Sequence, residues 1–254
     1  MIEAEKLLND LQFYGMKESL SYRLSEAIQG NHSHQQFFTF ILEDEKLYRK
    51  NKRSEMLRKR AKFKDRASLE DFDTKKSRNI SKSLLQQIKS LHFLNNFENI
   101  FFIGKTGAGK SFLAQAIGHE CCLHGYESLF IPVNRLFREV EMAEAQGTYL
   151  SYMNRLSKIK LLILDDFGLR KYSHKEATIF YELLDDLYRK SSVIVTSQVM
   201  PKGWGSLFED KVIGEAILDR LTSNSKTIEI LAGENETSYR SEFAKTKKMD
   251  EKKN

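Results

Sequence analysis

The stretch Asn99-Ile100-Phe101-Phe102-Ile103-Gly104-Lys105-Thr106-Gly107-Ala108-Gly109-Lys110-Ser111 decides the fold. An apolar strand signal runs into eight residues that match GxxxxGK[ST], and the following FLAQAIGHECCL is helical in pattern. Strand, loop and helix are the context this phosphate-binding motif requires, which an ordinary glycine-rich turn lacks. Its glycines let backbone N–H groups face a phosphate without an obstructing Cβ, and the helix N-terminus adds partial positive charge. Gly104, Lys105, Thr106, Gly107, Ala108, Gly109, Lys110 and Ser111 are therefore expected to cradle ATP. Lys110 should reach the β and γ phosphates, and the Ser111 hydroxyl should ligate Mg2+.

Beyond this loop, short β-branched and aromatic runs at 128–133, 161–164, 193–196 and 227–231 alternate with helical stretches. Alternation of this kind implies an α/β fold in which a five-stranded, mainly parallel sheet is covered by helices on both faces. Ligands of such sheets bind outside the carboxyl ends of the strands, so the residues after each run are the candidates. After the third run come Asp165 and Asp166. A carboxylate at the tip of a buried strand is costly unless it holds a cation, so Asp165 suits Mg2+ and Asp166 the polarisation of an attacking water. Capping of the next helix is the alternative use of both acids. Two adjacent acids argue for hydrolysis and against a P-loop kinase acting on a small metabolite. A scaffold that holds ATP but scarcely turns it over stays open.

After the fourth run stands Thr196-Ser197-Gln198, where a polar side chain such as Gln198 can sense the γ-phosphate or hold the water, although the same tripeptide is also ordinary loop chemistry. In Ala216-Ile217-Leu218-Asp219-Arg220-Leu221, Arg220 lies on a different helix face from Ile217 and Leu221, and could complete a neighbouring subunit's site. A local pair with Asp219 or Glu215 is the competing expectation.

Upstream of the loop the chain reads as all-helical over residues 3–29, 36–63 and 81–95, with the polar stretch ASLEDFD at 67–73 irregular. The whole net charge of +6 resides here, because residues 1–95 hold 19 Lys/Arg and 13 Asp/Glu while residues 96–254 hold 22 of each. Eleven basic residues and two acids lie between Lys46 and Arg66. Lys46, Arg49, Lys50 and Arg53 fall at helical spacing on one stripe, and Arg58, Lys59, Arg60 and Lys62 continue the run. A solvated helix usually mixes signs, so a nucleic-acid backbone contacted through its phosphates is the expected partner. An anionic membrane fits less well, since no wide apolar face accompanies the charge.

Several classes are excluded. The longest charge-free stretch, 27–42, is 16 residues broken by polar side chains, so no segment spans a bilayer. The start MIEAEKLLND lacks the basic-then-apolar pattern of a signal peptide, and a cytoplasmic location is expected. Cys121 and Cys122 form neither a disulfide framework nor a zinc site and are expected to be buried structural residues.

The assembled pattern resembles the IstB family of transposition helper ATPases, relatives of the DnaC and DnaA initiators in the AAA+ class. Besides the ATP motifs, Phe40-Ile41-Leu42 with Glu45 and Arg49, LEDFD at 69–73, Asn99, Trp204 with Phe208 and Asp210, and AILDRL at 216–221 carry the likeness over residues 5–240. The resemblance implies a DNA-gripping helical region at 1–78 and a AAA+ ATPase domain at 79–240; the lysine-rich tail at 241–254 is expected to be disordered by its composition. The resemblance further implies that Arg220 acts in trans and that Arg240 of Ser238-Tyr239-Arg240 senses nucleotide. ATP-bridged homo-oligomers on duplex DNA and an IstA-type transposase partner complete the expectation, with a DnaC-like helicase loader as the alternative. Three departures stand out: Asp166 where the family commonly has Glu, Gln198 where Asn is frequent, and a longer lead, residues 233–237, into Ser238-Tyr239-Arg240.

Overall fold

The computed structural model describes residues 2–72, 74 and 80–231. Arg240, the expected tail, Asp73 of the LEDFD stretch, and Lys75, Lys76 and Arg78 lie outside these residues. The chain divides into two compact units, Met1–Leu57 and a second beginning at Arg58.

In the first unit, α1 (Ile2–Asp10) and α2 (Tyr14–Gln29) are followed by the long α3 (His34–Arg60), which continues past the unit's end. A small core of Met16, Leu20 and Ile41 holds the unit. Glu45 supplies its polar lock. The buried Glu45 carboxylate accepts the N–H groups of Gly15 at 2.7 Å and Met16 at 3.0 Å, at the start of α2. Anions are favoured at a helix N-terminus. Arg49, one turn along α3, donates its Nε to the same carboxylate at 2.6 Å and lies over the Phe13 ring. Burial on its own would raise the Glu45 pKa, but the hydrogen bonds from Arg49, Met16 and Gly15 together hold it below the usual carboxylate range.

The second unit is built on β1 (Asn99–Ile103), β2 (Ser128–Pro132), β3 (Leu161–Phe167), β4 (Ser192–Ser197) and β5 (Ser225–Glu229), all parallel, in the order β2-β3-β4-β1-β5. Side chains alternate across the sheet. Phe101, Ile103, Leu162, Leu164, Val193 and Val195 pack on one face under α7 (Val133–Ala145), α8 (Tyr149–Leu156), α9 (His174–Leu187) and α10 (Lys211–Thr222). Ile100, Phe102, Leu161, Ile163 and Ile194 pack on the other, under α4 (Lys82–Lys89), α5 (His92–Asn95) and α6 (Lys110–Leu123). Trp204 sits in the first core with its ring edge-on to Phe101 and Phe167, centroids 4.9 and 4.7 Å away, and its Nε1 donates to Val199 O. Asn99 staples the sheet at its amino edge. Its side chain donates to Leu221 O of α10 and accepts from Val193 N of β4.

The compact division falls earlier than the expected boundary at residue 78. Ala61, Ala67, Leu69 and Phe72 are buried, the last three in the core beneath α6, and Ala61 O accepts the N–H of Phe130 on the edge strand β2. Small and apolar residues dispersed among lysines thus belong to the sheet unit. Strand limits also differ from the expected runs: β2 stops at Pro132, β3 runs on to Phe167, β4 gains one residue at each end, and β5 begins at Ser225 and ends at Glu229. Cys121 and Cys122 are buried free thiols, as expected.

Candidate nucleotide-binding site

Strand order assembles the site. The loop after β1 and the acids of β3 lie on either side of β4, so the carboxyl end of β4 separates and connects them. In the loop, Gly107 and Gly109 have φ of +83° and +95°, conformations that L side chains rarely adopt. Gly104 faces another constraint: a Cβ there would sit 2.4 Å from Ile230 O. Lys110 is 7 % exposed, and its ammonium donates to the carbonyls of Gly104 and Lys105 at 2.8 and 2.9 Å. This arrangement fits a polyphosphate: turned glycine amides, a helix start and one buried ammonium converge on the same loop.

Between Leu164 and Phe167, β3 advances three residues while its partner β4 advances two, from Val195 to Ser197. The extra residue is a β-bulge at the acid pair. Asp166 there has φ of +60°, a sparsely populated conformation for a non-glycine residue. Asp165 is 1 % exposed. The Thr196 hydroxyl donates to Asp165 Oδ1 at 2.7 Å and accepts the Asp166 N–H at 3.1 Å. Ser197 likewise donates its hydroxyl to Phe167 O at 2.7 Å. Gly168 (φ +81°) closes the turn, its N–H donating to the Tyr172 hydroxyl, whose pKa burial pushes up to about 12. A buried, hydrogen-bonded carboxylate opposite the phosphate loop fits a hard divalent cation such as Mg2+, with Ser111 on the first turn of α6 as the second protein oxygen.

The expected site residues separate into four groups. Lys110, Ser111, Asp165 and Asp166 gather at the carboxyl edge of the sheet. Gln198 stands exposed just beyond β4, and it is Thr196, two residues earlier, that contacts the acids. Arg220 is held locally, though by neither expected partner. Its Nε and Nη2 donate to Asp185 Oδ1 at 2.9 and 2.7 Å, Nη2 also to Tyr181 OH, and the guanidinium lies 4.2 Å from the Tyr181 ring centroid. Of the basic run, Lys46, Arg49, Lys50, Arg53, Arg58, Lys59 and Arg60 are exposed, whereas Lys62 is half-buried in an ion pair with Glu139 at 2.8 Å.

A parallel sheet with a phosphate-binding loop after β1 and paired acids at the end of β3 defines a P-loop ATP-binding protein of the AAA+ class. Within that class, the model of the IstB-like ATP binding protein family matches residues 6–247, and the chain belongs to this family. It is 31 % identical over 91 % of its length to a Pseudomonas aeruginosa protein assigned to insertion sequence IS21 as an ATP-binding protein, covering 87 % of that relative. It is 30 % identical to the insertion-sequence ATP-binding protein Rv3427c of Mycobacterium tuberculosis, over 87 % of this chain and 88 % of the other. Among solved structures, DnaI aligns with a TM-score of 0.54 at 25 % identity, over 65 % of this chain and 92 % of its own. AMPPCP-bound DnaA from Aquifex aeolicus shares the fold with a TM-score of 0.55 at 21 % identity, over 73 % of this chain and 55 % of that one. Among the described residues, no helix is long and apolar enough to cross a membrane.

Proposed function

We propose that this chain is an ATP-dependent transposition helper: it assembles on double-stranded DNA with Mg-ATP, hydrolyses ATP slowly as a switch, and recruits or activates an IstA-type transposase. The observation that carries the reading is the joining, in a family of insertion-sequence ATP-binding proteins, of a phosphate loop to an acid pair held by Thr196. Exposed Lys46, Lys50 and Arg53 on α3 support phosphate contact with little sequence readout. The first unit also leaves Leu7, Leu11, Tyr22, Ile28 and Phe38 exposed, apolar surface that self-association would cover.

In the proposed cycle the loop amides and Lys110 would bind the phosphates, and Ser111 and Asp165 would hold Mg2+, which would supply neutralisation of developing phosphate charge. Asp166 polarises the water, Gln198 reaches toward the γ-phosphate, and Thr196 fixes both acids in place. Arg220 acts in trans after releasing Asp185, and Arg240 senses the nucleotide. A DnaC-like helicase loader is the second reading, since a DnaC helicase loader shares the fold with a TM-score of 0.53. The nearly full-length insertion-sequence relatives favour the first.

The test is sedimentation of the chain on duplex DNA with Mg-ATP, using wild type and Lys110→Ala. Wild type should form ATP-dependent assemblies and the variant none; unchanged assembly by the variant would remove ATP from the bridging role. Pull-down with an IstA-type transposase, against a replicative helicase, separates the two readings.

A further inference from the structure

Lys64 belongs by sequence to the basic run, but its neighbours are those of the nucleotide site. Its backbone N–H donates to Gln115 Oε1 at 2.7 Å, and the Asp65 N–H donates to the same oxygen at 3.3 Å. Gln115 is buried on α6, and its Nε2 donates to Ser111 O at 3.1 Å. One amide therefore ties the end of the basic segment to the helical turn that carries the candidate cation ligand. From this anchor the Lys64 side chain crosses Phe130 of β2, with the ammonium 5.2 Å from the ring centroid. It ends 3.9 Å from Asp165 Oδ2, while Thr196 holds Oδ1.

We propose that Lys64 is a positioning residue of the nucleotide site: a tethered cation that balances Asp165 and gives way to the divalent cation of Mg-ATP. The inference rests on the reading of Asp165 as facing that cation. Two cations directed at one carboxylate repel each other, so each disfavours the other there. Asp165 is buried and fixed, whereas the Lys64 side chain is 55 % exposed and can swing into water while its backbone stays on Gln115. Filling the site then frees one positive charge at the end of the DNA-facing run. The coupling is reciprocal: whatever draws Lys64 away from Asp165 lowers the Mg2+ needed to bind ATP.

The experiment is a Mg2+ titration of fluorescent ATP analogue binding to the full chain, in wild type, Lys64→Met, Lys64→Arg and Asp165→Asn, with affinity in EDTA measured beside it. Lys64→Met should lower the half-saturating Mg2+ about two- to fivefold, the range set by exposed ion pairs. Its affinity in EDTA should stay within twofold of wild type, and Lys64→Arg should restore the wild-type requirement. An unchanged or raised Mg2+ requirement in Lys64→Met overturns the proposal, as does a matching loss of affinity in EDTA, which would make Lys64 a direct phosphate ligand. Asp165→Asn should need far more Mg2+. If it does not, the metal reading of Asp165 fails; if it does while Lys64→Met matches wild type, only the role of Lys64 fails.

Discussion

Thr196 donates its hydroxyl to Asp165 across 2.7 Å from the neighbouring strand, and so satisfies a carboxylate that is almost wholly buried. The same oxygen accepts the amide of Asp166 within the β-bulge. One β4 side chain thus fixes both acids of β3.

Replacing it with the near-isosteric Thr196→Val leaves a buried carboxylate and a bulge amide without this partner. Stability should fall by about 1–3 kcal/mol, measured by denaturant unfolding. On the proposed role of Asp165 as a cation ligand, phosphate release should slow by about 10- to 100-fold, the usual cost of losing a group that orients such a ligand. Thr196→Ser should recover most of both; a Val variant as active as wild type would make Thr196 a packing residue only.

Arg220 bonds to Asp185 and Tyr181 within its own subunit, so a role in trans requires a switch of partners. Mixing Arg220→Ala subunits with Asp166→Asn subunits should restore part of the ATP turnover that each lacks alone. Asp185→Asn, which loosens the local hold, should leave turnover intact or raise it. Absence of recovery in the mixture would favour a purely structural Arg220.

Glu45 makes the first unit acid-sensitive. Its pKa is depressed in the folded state, so its contribution is fully present above the ordinary value of 4.5 and is lost as pH falls through the folded value. Helical signal of the N-terminal unit should therefore decline below about pH 4.5 in wild type, and Glu45→Gln should show a shallower decline. At pH 7, Glu45→Ala should cost about 2 kcal/mol through the orphaned Gly15 and Met16 amides.

The exposed stripe on α3 can be tested through salt. Lys46→Gln, Lys50→Gln and Arg53→Gln combined should lower the log–log salt slope of duplex DNA binding by about 3 units, near 0.9 per phosphate contact. Arg49 is left in place because it serves Glu45. An unaltered slope would locate the DNA contact on another surface.

The phosphate loop and its flanking strand were legible because GxxxxGKS combines a local conformational demand with an apolar run, and β1 spans the residues its pattern predicts. β3 was harder to delimit. Its apolar run stops at Leu164, yet the backbone continues through two acids because a hydroxyl on the next strand offsets the cost of burying Asp165. No property of β3 alone encodes that partner. The same limit hid Thr196, whose hold on both acids depends on cross-strand register. Arg220 found its carboxylate on α9, 35 residues upstream, instead of at the neighbouring Asp219 or at Glu215. Helix-packing geometry decides such pairs.

Trp204 is the chain's one tryptophan, packed edge-on against Phe167, the residue that follows Asp166. Its indole emission therefore originates beside the acid pair and from no other place in the molecule. A rearrangement of the β3 tip can be followed optically in the unlabelled protein, in real time, against a background free of competing indoles.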